Sequence, residues 1–110
     1  METSAITVGI IGGTGDLGTG LARRLARAGF RVIVGSRNES GAQGAAEALK
    51  NLGETSGWGA LQVSGASNSE AATAADLVFV TVPFSAHSVT LESIHEAVQG
   101  KVVVDVTGPL

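Results

Sequence analysis

No cysteine occurs among the 110 residues. Disulfides, thiolate chemistry and cysteine metal sites are therefore excluded. Histidine is nearly as scarce, and His87 and His95 alone do not make a metal site. No apolar run approaches the roughly 18 residues of a membrane-spanning helix. No basic segment precedes the first apolar run, Ala5–Ile11, so a secretory signal is not expected and the cytoplasm is the default compartment. Positive charge is in short supply as well. Seven Lys and Arg face ten Asp and Glu, for a formal net charge of −3, whereas a nucleic-acid partner calls for a basic face. Arg23, Arg24 and Arg27 do cluster, but on the polar side of a predicted helix, where they read as a solvated face. Neither a Ser/His/Asp grouping nor a carboxylate pair is present.

What the chain has is apolar residues and glycine. The hydrophobic share of 44% argues against disorder, and the length suits one domain with a real core. Glycine supplies 16 residues, about twice the usual share of roughly 7%. They lie mostly between apolar runs and so punctuate structure.

Those runs alternate in kind. Ala5–Ile11 reads as a buried strand ending in glycines. Leu17–Ala28 follows as a helix with Leu17, Leu21, Leu25 and Ala28 on one face, stopped by Gly29. Arg31–Gly35 is a second strand. Asn38 can cap a second helix that Gly41 and Gly44 weaken and that Gly53 ends. Ala60–Ser64 is a weaker third strand. Ser67 with Glu70 resembles a capping box for a short helix to about Ala75. Leu77–Val82 is a strong strand stopped by Pro83. Ser85–Val98 is helical, with His87, Leu91, Ile94 and Val98 on one stripe, and Val102–Val106 is the last strand. Continuous apolar strands without alternation are those of a parallel sheet covered on both faces. The pattern therefore predicts a single α/β domain, a Rossmann-like doubly wound parallel sheet of order 3-2-1-4-5. Its ligand crevice would lie at the strands' C-terminal ends, between the first and fourth.

Gly13-x-Gly15-x-x-Gly18 sits at that crevice. The pattern is weak alone, but here it directly follows a strand and directly opens a helix. In Gly12, Gly13, Thr14, Gly15, Asp16, Leu17 and Gly18, missing side chains let backbone approach phosphates. The free N–H groups and the positive helix end then stabilise their charge. Thr14 can add its hydroxyl. The Asp16 carboxylate should point away while its N–H serves the ligand. The ligand this predicts is a dinucleotide.

The second strand ends in Gly35-Ser36-Arg37, where NAD-specific domains usually place an acid for the ribose 2′-hydroxyl. A hydroxyl and a guanidinium suit the 2′-phosphate of NADP instead. Val82, Pro83 and Phe84 leave the fourth strand beside the glycine loop, as an apolar wall for the nicotinamide. His87, one turn later, is placed to touch the cofactor or to be a structural histidine. Asp76 precedes the fourth strand, far from the crevice, and reads as a turn residue. Asp105 and Thr107 end the last strand on the ligand side.

Four segments, Val8–Gly18, Val32–Arg37, Val82–His87 and Val102–Asp105, together resemble the coenzyme F420-dependent NADP oxidoreductases. That family passes hydride between NADP(H) and a deazaflavin. The resemblance implies a cofactor loop at Thr14, Gly15, Asp16 and Leu17, 2′-phosphate contacts at Ser36 and Arg37, and nicotinamide contacts near Val82 and Pro83. Two positions depart from the family pattern, Asp16 for Asn and Gly41 for Lys, which implies a looser grip on the 2′-phosphate. Family members also continue for about another domain's length, which supplies much of the deazaflavin pocket and the dimer interface.

The leading expectation is thus an NADP-binding oxidoreductase domain with F420 as hydride partner. A different class of reading is a non-catalytic NADP(H)-sensing module, and a third is a reductase of another small substrate completed by a partner chain. The apolar last strand is an association-prone edge, so a homo-oligomer or a partner over that edge is expected.

Overall fold

A computed structural model describes residues 5–82 and 87–106, with His87 described by its backbone only. The elements alternate without exception: β1 (Thr7–Ile11), α1 (Asp16–Arg27), β2 (Arg31–Ser36), α2 (Glu39–Thr55), β3 (Val63–Ser67), α3 (Asn68–Ala74), β4 (Leu77–Val80), α4 (His87–Ile94) and β5 (Val102–Asp105). All four ladders are parallel, and the sheet order is β3-β2-β1-β4-β5, as the sequence pattern predicts.

Alternation along the central strands divides the core between two faces. Val8, Ile10, Val32 and Val34 join Ala22, Ala26, Ala42 and Ala46 on the α1–α2 side. Ile11, Val78 and Val80 join Ala71, Ala72 and Ile94 on the α3–α4 side. Each fully buried Val or Ile contributes about 1.5–3 kcal/mol of transfer free energy, so β1, covered on both faces, is the spine of the domain.

Helix α1 corrects one expectation. Its buried residues are Gly18, Ala22 and Ala26. Leu17 is 55% exposed, Ala28 is also exposed, and Leu21 and Leu25 are only half-buried. The reason is closeness. A Cβ on Gly18 would stand 2.5 Å from the Gly13 Cα, so the helix meets the strand end backbone to backbone. Only small residues at i, i+4 and i+8 fit beneath it.

Helix α2 begins where predicted, with Asn38 Oδ1 accepting from the Gly41 N–H at 3.2 Å. It does not stop at Gly53. Gly53 is buried inside the helix, where a Cβ would come within 2.9 Å of Leu61 Cγ. The stop is Gly57, at φ +75°, with the Gly57 N–H donating to Glu54 O at 3.3 Å and the Trp58 N–H to Gly53 O at 2.8 Å. That pair of bonds is a Schellman termination.

Strand β3 lies three residues later than the apolar run Ala60–Ser64 suggests. Leu61 is used for packing, and Gly65 becomes strand because α2 lies on it. A Cβ on Gly65 would stand 2.3 Å from the Ala42 carbonyl. Strand β4 ends at Val80 and β5 at Asp105, both shorter than predicted, and α4 ends at Ile94, with turns over 95–100. The predicted helix start at Ser85 lies outside the described residues.

Two polar contacts brace the α3–β4 corner. Asp76 Oδ2 accepts from the Thr7 N–H at 2.9 Å, the structural role expected of it. Lys101 Nζ donates to Ala72 O at 2.7 Å and Thr73 O at 2.6 Å, placing a cation at the negative end of α3.

Candidate functional site

Five parallel strands put all their C-terminal ends on one side of the sheet. The β1–α1 turn therefore lies between the β2 end (Ser36, Arg37) and the β4 end (Thr81, Val82). Within the turn, burial splits the residues into a base and a crest. Gly13 and Gly18 are buried, whereas Thr14, Gly15, Asp16 and Leu17 are exposed.

The base is built by close backbone approach. Gly12 takes φ +70°, which glycine reaches without strain. A Cβ there would also lie 2.1 Å from Val82 Cγ1. The Gly13 N–H donates to Gly35 O at 2.8 Å, which couples the turn to the residue preceding Ser36 and Arg37. A Cβ on Gly13 would come within 2.8 Å of Ile10 O. The N–H groups of Gly12 and Gly13 are thus engaged inside the protein.

The crest is different. Gly15 is the N-cap of α1, with φ −79°, ψ 175° and no side-chain cap, and its missing Cβ would meet no atom within 4 Å. The open space at Gly15 is where a ligand could approach the backbone. The first helical N–H groups, from Asp16, Leu17 and Gly18, have no carbonyl of the preceding turn to bond. An uncapped helix start with free donors and open space is suited to a phosphate group.

Two residues that sequence reasoning did not single out hold this turn. Asn68 Oδ1 accepts the Gly12 N–H at 3.0 Å. Thr81 Oγ1 lies 2.9 Å from Ile11 O and 3.1 Å from Gly12 O, donating to this pair of carbonyls. No local signal could have found them, because their partners are 56 and 69 or 70 residues away.

At the β2 end, Ser36 is half-buried and its Oγ accepts from the Asn38 N–H at 3.1 Å. Its hydroxyl proton remains to donate. Arg37 is exposed, and the only acid near it in sequence is Glu39, in the first turn of α2. Asp16 lines a groove of about 300 Å³ between α1 and α2 with Thr19, Gly20, Arg23, Leu49 and Leu52. Val82 is buried against the turn. Pro83, Phe84, Thr107 and the His87 side chain lie outside the described residues. Among the described residues no cluster of His, Asp or Glu could hold a metal, and no helix is long and apolar enough to cross a membrane.

The chain resembles known proteins along nearly its whole length. A family model described as NADP oxidoreductase, coenzyme F420-dependent, matches residues 7–109. An F420-dependent NADP reductase of Methanothermobacter marburgensis is 46% identical over 103 residues, covering 94% of this chain and 45% of that protein. The chain thus spans about half the length of the curated relatives it matches. In three dimensions, a lactate dehydrogenase of Cryptosporidium parvum superposes with a TM-score of 0.77 at 20% identity, over 100% of this chain and 39% of that one. An Arthrobacter chain described as an F420-dependent NADP-reductase gives a TM-score of 0.74 at 24% identity, over 96% and 46%. At these identities the structural matches speak for the fold alone, a Rossmann-like parallel α/β sheet.

Proposed function

This chain belongs to the coenzyme F420-dependent NADP oxidoreductase family, and from that premise we propose that it is the NADP-binding half of an enzyme moving hydride between NADP(H) and a deazaflavin. The pyrophosphate is received by the crest Thr14-Gly15-Asp16-Leu17 and the Gly18 N–H, on a base shaped by Gly12 and Gly13. Ser36 donates its hydroxyl to the 2′-phosphate, and Arg37 pairs with it. Val82, Pro83, Phe84 and His87 border the nicotinamide. NADPH supplies the hydride when bound, and the protein's share is to orient the ring and keep the reacting face open.

The observation that carries this reading is the 2.8 Å bond from the Gly13 N–H to Gly35 O. It ties the glycine turn to the residue that precedes Ser36 and Arg37. The absence of an acid at the β2 end supports NADP over NAD on charge grounds, because a carboxylate there would repel a 2′-phosphate. The family supports F420 as the second substrate.

Arg37→Asp is the direct test. A hydrogen bond between charged groups contributes about 1.5–3 kcal/mol, equivalent to roughly 10–150-fold in affinity, and a carboxylate adds repulsion. NADP should bind at least tenfold more weakly by calorimetry, with NAD affinity unchanged or improved. Unchanged NADP affinity would remove the 2′-phosphate assignment. NADPH absorbance followed with and without oxidised F420 then tests hydride transfer. Binding without turnover would favour the sensing-module reading for these 110 residues.

We place association at the β5 edge, where Val102 is 63% and Val103 38% exposed. An edge strand with exposed apolar side chains is a template for a second copy or a partner.

A further inference from the structure

Gly12 is the residue at which the chain leaves β1 and turns into the phosphate-ready crest. Side chains from two other crossovers hold both of its backbone polar groups. Asn68, the first residue of α3, takes the N–H. Thr81, just past β4, reaches the carbonyl and shares its hydroxyl with Ile11 O. Asn68 is 6% and Thr81 9% exposed, so water competes little for these bonds.

The two groups are themselves locked. Gly35 leaves room for Asn68, since a Cβ there would stand 2.9 Å from Asn68 Oδ1 and 3.0 Å from Ala71 Cβ. Val82 fills the space beside Gly12 that any side chain on that residue would need. The backbone N–H of Thr81 also donates to Ile11 O, at 2.9 Å. The φ of +70° at Gly12 is thereby set from three sides by β3–α3, by β4 and by the β2 end. A peptide turned otherwise would swing the Thr14–Leu17 crest and re-aim its donors.

We propose that Asn68 and Thr81 are positioning residues for the dinucleotide: they touch no ligand, and they fix Gly12 so that the crest presents its N–H groups to the pyrophosphate. This rests on the NADP reading above, and it makes a claim about the protein that holds with no ligand present.

The test has two arms. In the ligand-free arm, amide hydrogen exchange of Gly12 is read by ¹⁵N NMR. Asn68→Leu, similar in size but without an acceptor, should speed exchange at Gly12 at least tenfold relative to the β1 amides. Asn68→Asp, which keeps an oxygen for the same bond, should retain protection. Equal protection of Gly12 in Asn68→Leu and wild type overturns the proposal. In the binding arm, NADP is compared with adenosine 2′-monophosphate, which carries the 2′-phosphate and no pyrophosphate. Asn68→Leu and Thr81→Val should each weaken NADP about tenfold, the equivalent of one hydrogen bond of the stronger kind. Adenosine 2′-monophosphate should change by less than about twofold. Parallel weakening of both ligands means general loosening of the domain and overturns the positioning role. Should Asn68→Leu fail to fold, Thr81→Val, which removes only the hydroxyl, decides the binding arm. Should wild type bind no NADP, the NADP reading falls, while the exchange arm still decides whether Asn68 sets Gly12.

Discussion

Gly15 and Gly18 stand three residues apart in one turn, and the structure gives their alanine variants opposite fates. At Gly15 the new methyl meets nothing within 4 Å, and φ −79°, ψ 175° suits any residue. Removing a glycine from the unfolded chain gains about 0.4–1 kcal/mol. Against this, alanine is a poorer N-cap than glycine by several tenths to about 1 kcal/mol. The two cancel, so Gly15→Ala should melt within a few degrees of wild type. At Gly18 the methyl would stand 2.5, 2.8 and 2.9 Å from the Cα, carbonyl carbon and oxygen of Gly13. Those are backbone atoms and cannot swing aside. Overpacking of this kind costs about 1–3 kcal/mol or more, which outweighs the helix gain of about 0.5–1 kcal/mol. At about 4–8 °C per kcal/mol for a domain near this size, Gly18→Ala should melt several degrees lower. Ligand affinity reverses the ranking of innocence. In the proposed binding mode the Gly15 methyl occupies the space through which a phosphate reaches the crest. Loss of one charge-assisted bond there weakens NADP roughly 10–150-fold. Thermal unfolding by circular dichroism and NADP titration by calorimetry on both variants settle the matter. Wild-type affinity in Gly15→Ala would refute the open approach, and a wild-type melting temperature in Gly18→Ala would refute the backbone contact.

Three further outcomes follow from contacts away from the crest. Lys101→Met removes both bonds to the last carbonyls of α3. It should cost about 1–2 kcal/mol, read as a lower midpoint in urea at unchanged slope. Arg27 lies 4.0 Å above the ring centroid of Trp58, the only tryptophan in the chain. Arg27→Ala should cost about 0.5–1 kcal/mol and change Trp58 emission, and an unaltered spectrum would count against the stacked pair. Val102→Lys puts a charge on the exposed β5 edge. It should shift sedimentation toward the monomer, and a wild-type chain already monomeric at high concentration would remove the edge from consideration.

Strand order was legible because it follows from local patterns and one global rule. Apolar runs mark β1, β2 and β4, and right-handed crossovers then leave few arrangements. The crest was legible for the same reason, since its donors belong to consecutive residues at a helix start. What stayed hidden was whatever depends on the far side of a contact. Glycine shows this most directly. Gly29 and Gly57 turn the chain at helix ends, whereas Gly18, Gly53 and Gly65 exist because backbone or a leucine lies opposite. In sequence the two kinds look alike, so Gly53 reads as a stop. The same blindness rotated α1: leucines outrank alanines in any apolar count, yet only Gly18, Ala22 and Ala26 fit under a helix drawn so close to the sheet. Asn68 and Thr81 belong to this second kind. A capping sequence identifies Ser67 and Glu70 from their spacing. Asn68 is adjacent to Ser67, but its partner is a backbone N–H 56 residues earlier. The exposed crest is therefore readable from the chain, and the contacts that hold its base in shape are written across crossovers.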